Sequence, residues 1–507
     1  MTDARVPKRL GCLRALGIFL LAAALLILLL YLEEDWRGAN ELTAAKKRWH
    51  DAGISLNPSD YEPPPIPDSQ NLAALPEFQL EPDPAKPTRM LAVKLLEATN
   101  EEMHGGLLDN YSAKNALPAS VAAAYAKMFP GATAPPSSLA QLETLYPILG
   151  HLRAAAPTRP DFRLNLDKAS PMWERPLGLM VYQDRVAELL ADHAQLALRE
   201  NQPQVALEDI RIGSRIASGL SAEPSPVAGL VAIAVVSVTR RNIDEEIHQH
   251  AWTDAQLAVI QDEIQQTNCL AMFQLDMRGQ AATFTLPFYA GLKSDPSVVA
   301  LVFPVIGLIR GMDQYEDDDY QGDNHAAALI FWCLFARGWW DMNEARMLDF
   351  ELREAATVDP KARRVDVKAS TEIEADVLAH RWPPVPWKMM YGVGASSMTS
   401  LLKKFAEGQV ELDEDRIACA LERYRLAHGA YPADLASLTP ASIDELPHDI
   451  LNGAPYHYRL NPDGTFLLYS VGWNQIDDGG KVALLSGSNP PRIDFDNGDW
   501  VWPMVKR

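Results

Sequence analysis

Hydrophobic and polar positions divide the chain into stretches of different rhythm. From Ala15 to Leu32 eighteen residues run without a charge, about the length of a helix that crosses a bilayer. Glu33–Ala52 is rich in Ala, Lys, Arg and Glu, so the helix is expected to continue as a stalk until Gly53 and Asn57-Pro58 stop it. Tyr61–Pro87 then carries Pro63-Pro64-Pro65, Pro67, Pro76, Pro82, Pro84 and Pro87. That density excludes helix and sheet interior and predicts an extended, polyproline-like spacer.

From about Arg89 to about Lys404, segments rich in Ala, Leu, Glu and Arg are broken by Pro or Gly, which predicts an all-α domain. Val181–Glu200 and Gln204–Leu220, joined at Asn201-Gln202-Pro203, read as paired helices. The pair has the style of a tetratricopeptide hairpin, but no strict repeat accompanies it, so a generic bundle is favoured. Thr253-Asp-Ala-Gln256 is a capping box that opens a helix over Ala255–Gln266. Ala281–Leu292, with Pro287, and Pro296–Ile309, with Pro304, are charge-free but short for a membrane span. Buried core helices are the favoured reading, and a surface dipping into the membrane beside the anchor is the alternative. The aromatic residues of Phe331–Phe350 predict a core helix, Trp382–Trp387 a turn, and Met389–Phe405 the last helix before a change of pattern.

That change comes near Asp413. Ile417, Ala420, Leu421 and Tyr424 recur at helical spacing, and His428-Gly429 with Pro432 marks the stop. Pro455–Leu460 and Thr465–Ser470 flank Asn461-Pro-Asp-Gly464, a type I hairpin turn. A polar Gly-rich loop, Val471–Lys481, and a terminal segment, Arg492–Pro503, follow. The predicted fold class is mainly α. It comprises a cytoplasmic N-terminus (1–14), a transmembrane helix (15–32), a stalk and Pro-rich linker (33–88), an all-α domain (89–408), and a small α+β module with an antiparallel sheet (409–507).

Charge adds orientation. Arg5, Lys8, Arg9 and Arg14 precede the apolar run, whereas Glu33, Glu34 and Asp35 follow it, so the positive-inside rule places the N-terminus in the cytoplasm and the bulk outside. A cleavable signal peptide is the alternative. Ala22-Ala23-Ala24 lies inside the run and no small-residue site closes it, which favours an uncleaved anchor. The net charge of −21 argues against a nucleic-acid partner or an anionic membrane surface. Cys12, Cys269, Cys333 and Cys419 show no C-x-x-C spacing. One bridge among the last three is open, and buried single thiols are favoured.

Candidate chemistry is sparse. Asp313, Glu316, Asp317, Asp318, Asp319 and Asp323 could take calcium, but their spacing is not that of an EF-hand, and a solvated loop is the plainer reading. Ser400-Leu-Leu-Lys403 has the Ser-x-x-Lys spacing without its usual companion motifs. His248-Gln-His250 projects to different sides of a helix and reads as an exposed end. There is no Gly-x-Ser-x-Gly, phosphate-binding glycine loop or His-Glu-x-x-His.

Two resemblances add to this. Tyr61-Glu-Pro-Pro-Pro-Ile-Pro-Asp-Ser-Gln-Asn71 resembles a stretch that follows a short stalk in bacterial membrane-anchored proteins, and it implies no activity. Ala420-Leu-Glu-Arg-Tyr-Arg-Leu-Ala-His-Gly-Ala-Tyr-Pro432, Asn452-Gly-Ala-Pro-Tyr-His-Tyr458, Phe466-Leu-Leu-Tyr-Ser-Val-Gly472 and Asp494-Phe-Asp-Asn-Gly-Asp-Trp500 resemble the C-terminal half of type II secretion major pseudopilins. The likeness covers about 413–503 and implies a helix on a small antiparallel sheet, with calcium tying down the last loop. Asp477, Asp478, Asp494 and Asp496 are then the implied ligands, although Asn474 stands where the family has an acid. The apolar run lacks the processed glycine and the intramembrane glutamate of a pilin helix, so filament assembly is not implied with the fold.

The expected protein is therefore a single-pass component of the bacterial inner membrane with its bulk in the periplasm. It would bind envelope or secretion proteins without catalysis. The alternative is an extracytoplasmic hydrolase of wall or polysaccharide, using carboxylates that converge in the helical domain.

Overall fold

The structure, a computed structural model, describes residues 8–79, 81–82, 90–91, 138–164, 166, 177–299, 325–381, 385–488 and 492–503. Among the described residues it is mainly helical, at 64% helix. In chain order the helices are α1 (Lys8–Asp51), α2 (Leu139–Leu145), α3 (Pro147–Ala155), α4 (Leu177–Arg199), α5 (Pro203–Ser221), α6 (Pro226–His248) and α7 (Asp254–Gln265). There follow α8 (Cys269–Gln280), α9 (Leu286–Ser294), α10 (His325–Leu334), α11 (Arg337–Ala355), α12 (Val367–Arg381), α13 (Met389–Ser396) and α14 (Leu401–His428). The strands are β1 (Glu81–Pro82), β2 (Met90–Leu91), β3 (Val358–Asp359), β4 (Arg364–Val365), β5 (His457–Leu460), β6 (Phe466–Ser470), β7 (Val482–Leu484), β8 (Ile493–Gly498) and β9 (Trp500–Val501). They fold into two compact units, residues 1–57, 281–353 and 372–399 forming the first and the remainder the second.

The first unit is built on α1, a single helix of 44 residues. Stalk and apolar run are continuous as predicted, and the chain leaves the helix at Gly53, whose φ of 69° suits glycine. Leu16 to Leu32 stand exposed on all sides of the helix. Past Glu33 the pattern becomes one-sided. Leu42, Ala45 and Trp49, at steps of three and four, bury against Ala281, Ala345 and Leu348. The Trp49 indole donates to the Leu348 carbonyl at 3.0 Å, and Arg48 pairs with Asp349 through bonds of 2.8 and 2.6 Å. A Cβ at Gly38 would run into the Gly338 backbone, and one at Gly338 into that of Glu34 and Asp35, so the two glycines let α1 and α11 touch.

A second apolar cluster in this unit gathers Tyr289, Leu292, Val299, Trp340, Phe350 and Tyr391. The core reading of Ala281–Leu292 holds at Ala281, Ala282, Tyr289 and Leu292, all buried. Its path includes a π-turn over Ala281–Thr285, and Pro287 sits in the first turn of α9, where a missing N–H costs no helical bond. Of Pro296–Ile309 only residues up to 299 are described, and residues 313–323 lie outside the described residues. The expected aromatic helix Phe331–Phe350 divides at Phe335-Ala336 into α10 and α11, although Phe335 and Trp340 are buried as expected.

In the second unit α4, α5 and α6 pack on one another, and α14 packs against α6, α7 and α8. The predicted helical pair is α4 and α5, and Thr253 and Gln256 form the capping box reciprocally. One expectation is corrected. Met389–Phe405 and the helix after Asp413 were to be separate, but α13 ends at Ser396 and α14 runs unbroken through 28 residues, so the 408/409 boundary falls inside a helix. Nothing in Glu407–Asp415 breaks a helix except Gly408, and there the missing side chain brings α14 close to Ile233 and Cys269. α14 stops at Gly429, φ 82°, whose N–H bonds Arg425 O at 2.7 Å.

The antiparallel sheet order is β5-β6-β9, with a separate β7-β8 pair. The hairpin turn is the predicted one, with Leu460 opposite Phe466 and Gly464 N donating to Asn461 O at 3.0 Å. The terminal segment adds β8 and β9, and β9 closes the sheet by pairing Trp500 with Ser470.

Candidate functional site

α14 carries the densest chemistry in the molecule, and it is buried. Glu407, Glu411, Asp413, Glu414, Asp415 and Glu422 are each at most 2% exposed, in a stretch whose composition suggests a solvated face. Buried carboxylates need compensating donors. Arg240, from the largely apolar α6, reaches Glu411 at 2.9 Å and Asp415 at 2.6 Å, and the Trp502 indole donates to the other Asp415 oxygen at 2.9 Å. Asp413 pairs with Arg363 and accepts from Gln409 at 3.1 Å and Tyr456 at 3.2 Å. Glu422 takes Arg425 at 2.7 Å, Tyr431 at 2.9 Å and His250 at 3.0 Å.

Glu414 differs from its neighbours. Both its carboxyl oxygens are buried without a hydrogen-bond partner. Burial first, then the charges of Asp415 and Asp449, hold its pKa well above the usual carboxylate range. Asp276 on α8 is also raised well above that range by burial. A carboxyl so placed holds its proton to higher pH than an exposed acid does.

A second buried cluster ties four helices together. His193 (α4) is fully buried, with Nδ1 on Asp209 (α5) at 2.7 Å and Nε2 on Glu143 (α2) at 3.3 Å, while Arg153 (α3) pairs with Glu143 at 2.8 Å. Desolvation raises the Asp209 pKa against the opposing pull of His193. Both imidazole nitrogens are engaged by carboxylates, so this is a cross-link between helices.

The residues implied as calcium ligands are placed as follows. Asp477 accepts from Tyr469 at 3.0 Å and from Gly479 N at 2.9 Å. Asp478 accepts from Asn474 at 3.4 Å. Asp494 accepts from Asp496 N and Asn497, both at 3.0 Å, and Asp496 pairs with Lys403. Among the described residues no group of three or more His, Cys, Asp or Glu is arranged to hold a metal ion. Asp499 ties the loop as well. Only 1% exposed, it accepts from Asp478 N at 3.2 Å, Gly480 N at 2.7 Å and Lys481 N at 3.3 Å.

The remaining motifs are also placed. Lys403 is taken up by Asp496 and lies 5.4 Å from the Trp473 ring centre. The His248 ring lies tilted against Trp502, 5.0 Å between centres, while His250 turns to Glu422, so they do not form a ligand pair. Cys269 and Cys419 are buried and outside any disulfide as expected, and burial pushes Cys269 up to about 12. Cys333 is free but exposed, which corrects the buried reading. A cavity of about 300 Å³ in the second unit is lined by Asp161, Arg163, Arg215, Glu263, Thr267 and Asn268 among others. The buried acids of α14 are not in its lining, and Glu263 is paired with Arg211 at 3.3 Å.

Sequence reasoning missed Arg240, His193 and Asp209. Arg240 is legible in retrospect as the first of two adjacent cations, Arg240-Arg241, at the end of an apolar helical run, and α14 offers acids at i, i+4 and i+8 in Glu407, Glu411 and Asp415. No protein family, curated protein or solved structure matches the chain.

Proposed function

We propose that the protein is a membrane-tethered, extracytoplasmic binding or scaffold protein of the bacterial envelope, held through residues 15–32. One observation carries this reading. α1 passes without a break from an apolar stretch exposed on every side into the buried core of a folded unit at Leu42, Ala45 and Trp49. Water does not tolerate such a stretch, whereas a bilayer requires it. A signal peptide needs only to be removed. This helix is packed into the unit that follows it.

Two further observations favour binding over hydrolysis. Apart from Glu414, the buried acids of α14 are taken up in internal pairs, and the cavity near Arg163 does not gather two opposed buried carboxylates. The pseudopilin likeness of 413–503 belongs to the same reading, because a helix beside a small antiparallel sheet suits a module that works through protein contacts. Crosslinking the full chain in intact cells and identifying adducts is the test. Specific protein adducts are expected; recovery of the chain alone, under conditions that trap known envelope complexes, contradicts the proposal.

A further inference from the structure

α10 presents an apolar face that the first unit does not cover. Its sequence, His-Ala-Ala-Ala-Leu-Ile-Phe-Trp-Cys-Leu, contains no Asp, Glu, Lys or Arg. Leu329, Ile330 and Leu334 are 49, 61 and 63% exposed, and Cys333 between them is exposed as well. Positions i, i+1, i+4 and i+5 share one side of a helix. The other side is anchored: Phe331 and Trp332 pack on the core, and the Trp332 indole donates to Leu292 O at 2.9 Å. The exposed leucines are therefore held outward by a fixed helix.

The position of this face relative to the anchor is set by bonds. Tyr31, the penultimate residue of the apolar run, donates its hydroxyl to Leu334 O at 2.6 Å, and its ring lies 6.0 Å from that of Trp339. One turn further, Gly338 N donates to Asp35 at 2.7 Å and the Trp339 indole to Glu34 at 3.2 Å. Lys46 then meets Glu344, and Arg48 meets Asp349. Both chains rise together, so α1 and α11 run parallel. The C-terminal end of α10 therefore sits level with the end of the apolar run, where Tyr31 and Trp339 form an aromatic pair of the kind found at membrane interfaces.

We propose that the outward face of α10 is immersed in the lipid bilayer beside α1, as an interfacial helix giving the first unit a second membrane contact. This rests on the reading of α1 as a membrane helix. The occupant is lipid because the face carries no Asp, Glu, Lys or Arg and its Leu334 end is bonded to Tyr31 at the end of the anchor's own apolar run. Burial of such a face at the headgroup–acyl boundary is what interfacial helices do. The contact fixes the tilt and rotation of the first unit on the membrane, where a lone tether leaves both free.

Cys333 supplies the probe. The full chain with Cys12→Ser is labelled at Cys333 with an environment-sensitive fluorophore, Cys269 and Cys419 being buried, and placed in phosphatidylcholine/phosphatidylglycerol vesicles. Blue-shifted emission, quenching by lipids carrying a nitroxide on the acyl chain, and protection from aqueous iodide are expected. Iodide quenching without lipid quenching overturns the proposal. Protection from both quenchers, with Cys333–Cys333 crosslinking between chains, overturns it in favour of a self-association face. A label at Leu26→Cys, in a Cys12→Ser/Cys333→Ser chain, separates the two claims: lipid quenching at 26 but not at 333 removes the α10 contact and leaves the anchor, and quenching at neither removes both.

Discussion

Two helices of this protein invert the usual order of inside and outside. The first half of α1 shows leucines to its surroundings on every side, and α14 hides six carboxylates from water. The first arrangement is stable only where the surroundings are apolar. The second is stable only where each charge has a partner or gives up its charge. The contrast shows that hydropathy alone does not tell an exposed apolar helix from a buried one. α6 is also long and apolar enough to span, yet 59% of its apolar window is buried, against none for α1. It spends its one deeply buried guanidinium, Arg240, on the acids of α14.

The sharpest way to break the inside half of this comparison is Arg240→Ala. It strands Glu411 and Asp415, and about 3–5 kcal/mol should be lost, as for other buried pairs deprived of one partner. Denaturant unfolding of the full chain in detergent measures it. Replacing Arg240, Glu411 and Asp415 together with apolar residues of similar volume should recover most of the loss, and if it does not, the network does more than compensate charge.

The junction between apolar and packed halves of α1 is tested at Trp49. Trp49→Ala removes a fully buried indole and its bond to Leu348 O, with an expected cost of about 3–5 kcal/mol. Proteolysis of α1 near Ala45 should rise in step. A variant as resistant as the parent would mean that the stalk is not part of the core.

Asp499→Ala frees three backbone donors and should cost about 1–3 kcal/mol, concentrated locally. Faster amide exchange at Gly480 and Lys481 reports it. Because Asp499 ties the loop and Lys403 holds Asp496, calcium or a chelator should leave the melting temperature of the full chain unchanged. A rise with calcium would restore the metal reading of Asp477, Asp478, Asp494 and Asp496.

Glu414 gives a pH signature. Below about pH 4.5, the ordinary glutamate value, folded and unfolded chains both hold the proton. Above it the unfolded chain releases the proton and the folded chain keeps it, so this group's contribution to stability falls as pH rises towards its raised folded value. Glu414→Gln should flatten that slope and stabilise the protein at neutral pH. Unfolding curves of this variant between pH 4 and 8 that keep the parent slope would contradict a raised Glu414 pKa.

Local chemistry explains which parts were legible in sequence. The continuation of α1 past Glu33, the α4–α5 pair, the Thr253 cap, the Gly429 stop and the Asn461–Gly464 turn are each encoded by neighbours a few residues apart. The burial of Glu407–Asp415 is not, because it depends on Arg240 and Arg363 arriving from distant segments. The same holds for the outward face of α10. Its composition matches a core helix, and only its tertiary placement leaves Leu329, Ile330 and Leu334 uncovered. The Asp499 tie was hidden for a related reason: three donors converge on it from a loop some twenty residues earlier, a relation that spacing alone does not reveal.

The central claim is that Ala15–Leu32 remains attached and crosses a membrane. Alkaline carbonate washing of membranes from cells making the full chain, followed by intact mass measurement, tests it most directly. The account predicts a chain retaining residues 1–32 in the washed membrane pellet. A chain cleaved after the apolar run and recovered in the soluble fraction would contradict it.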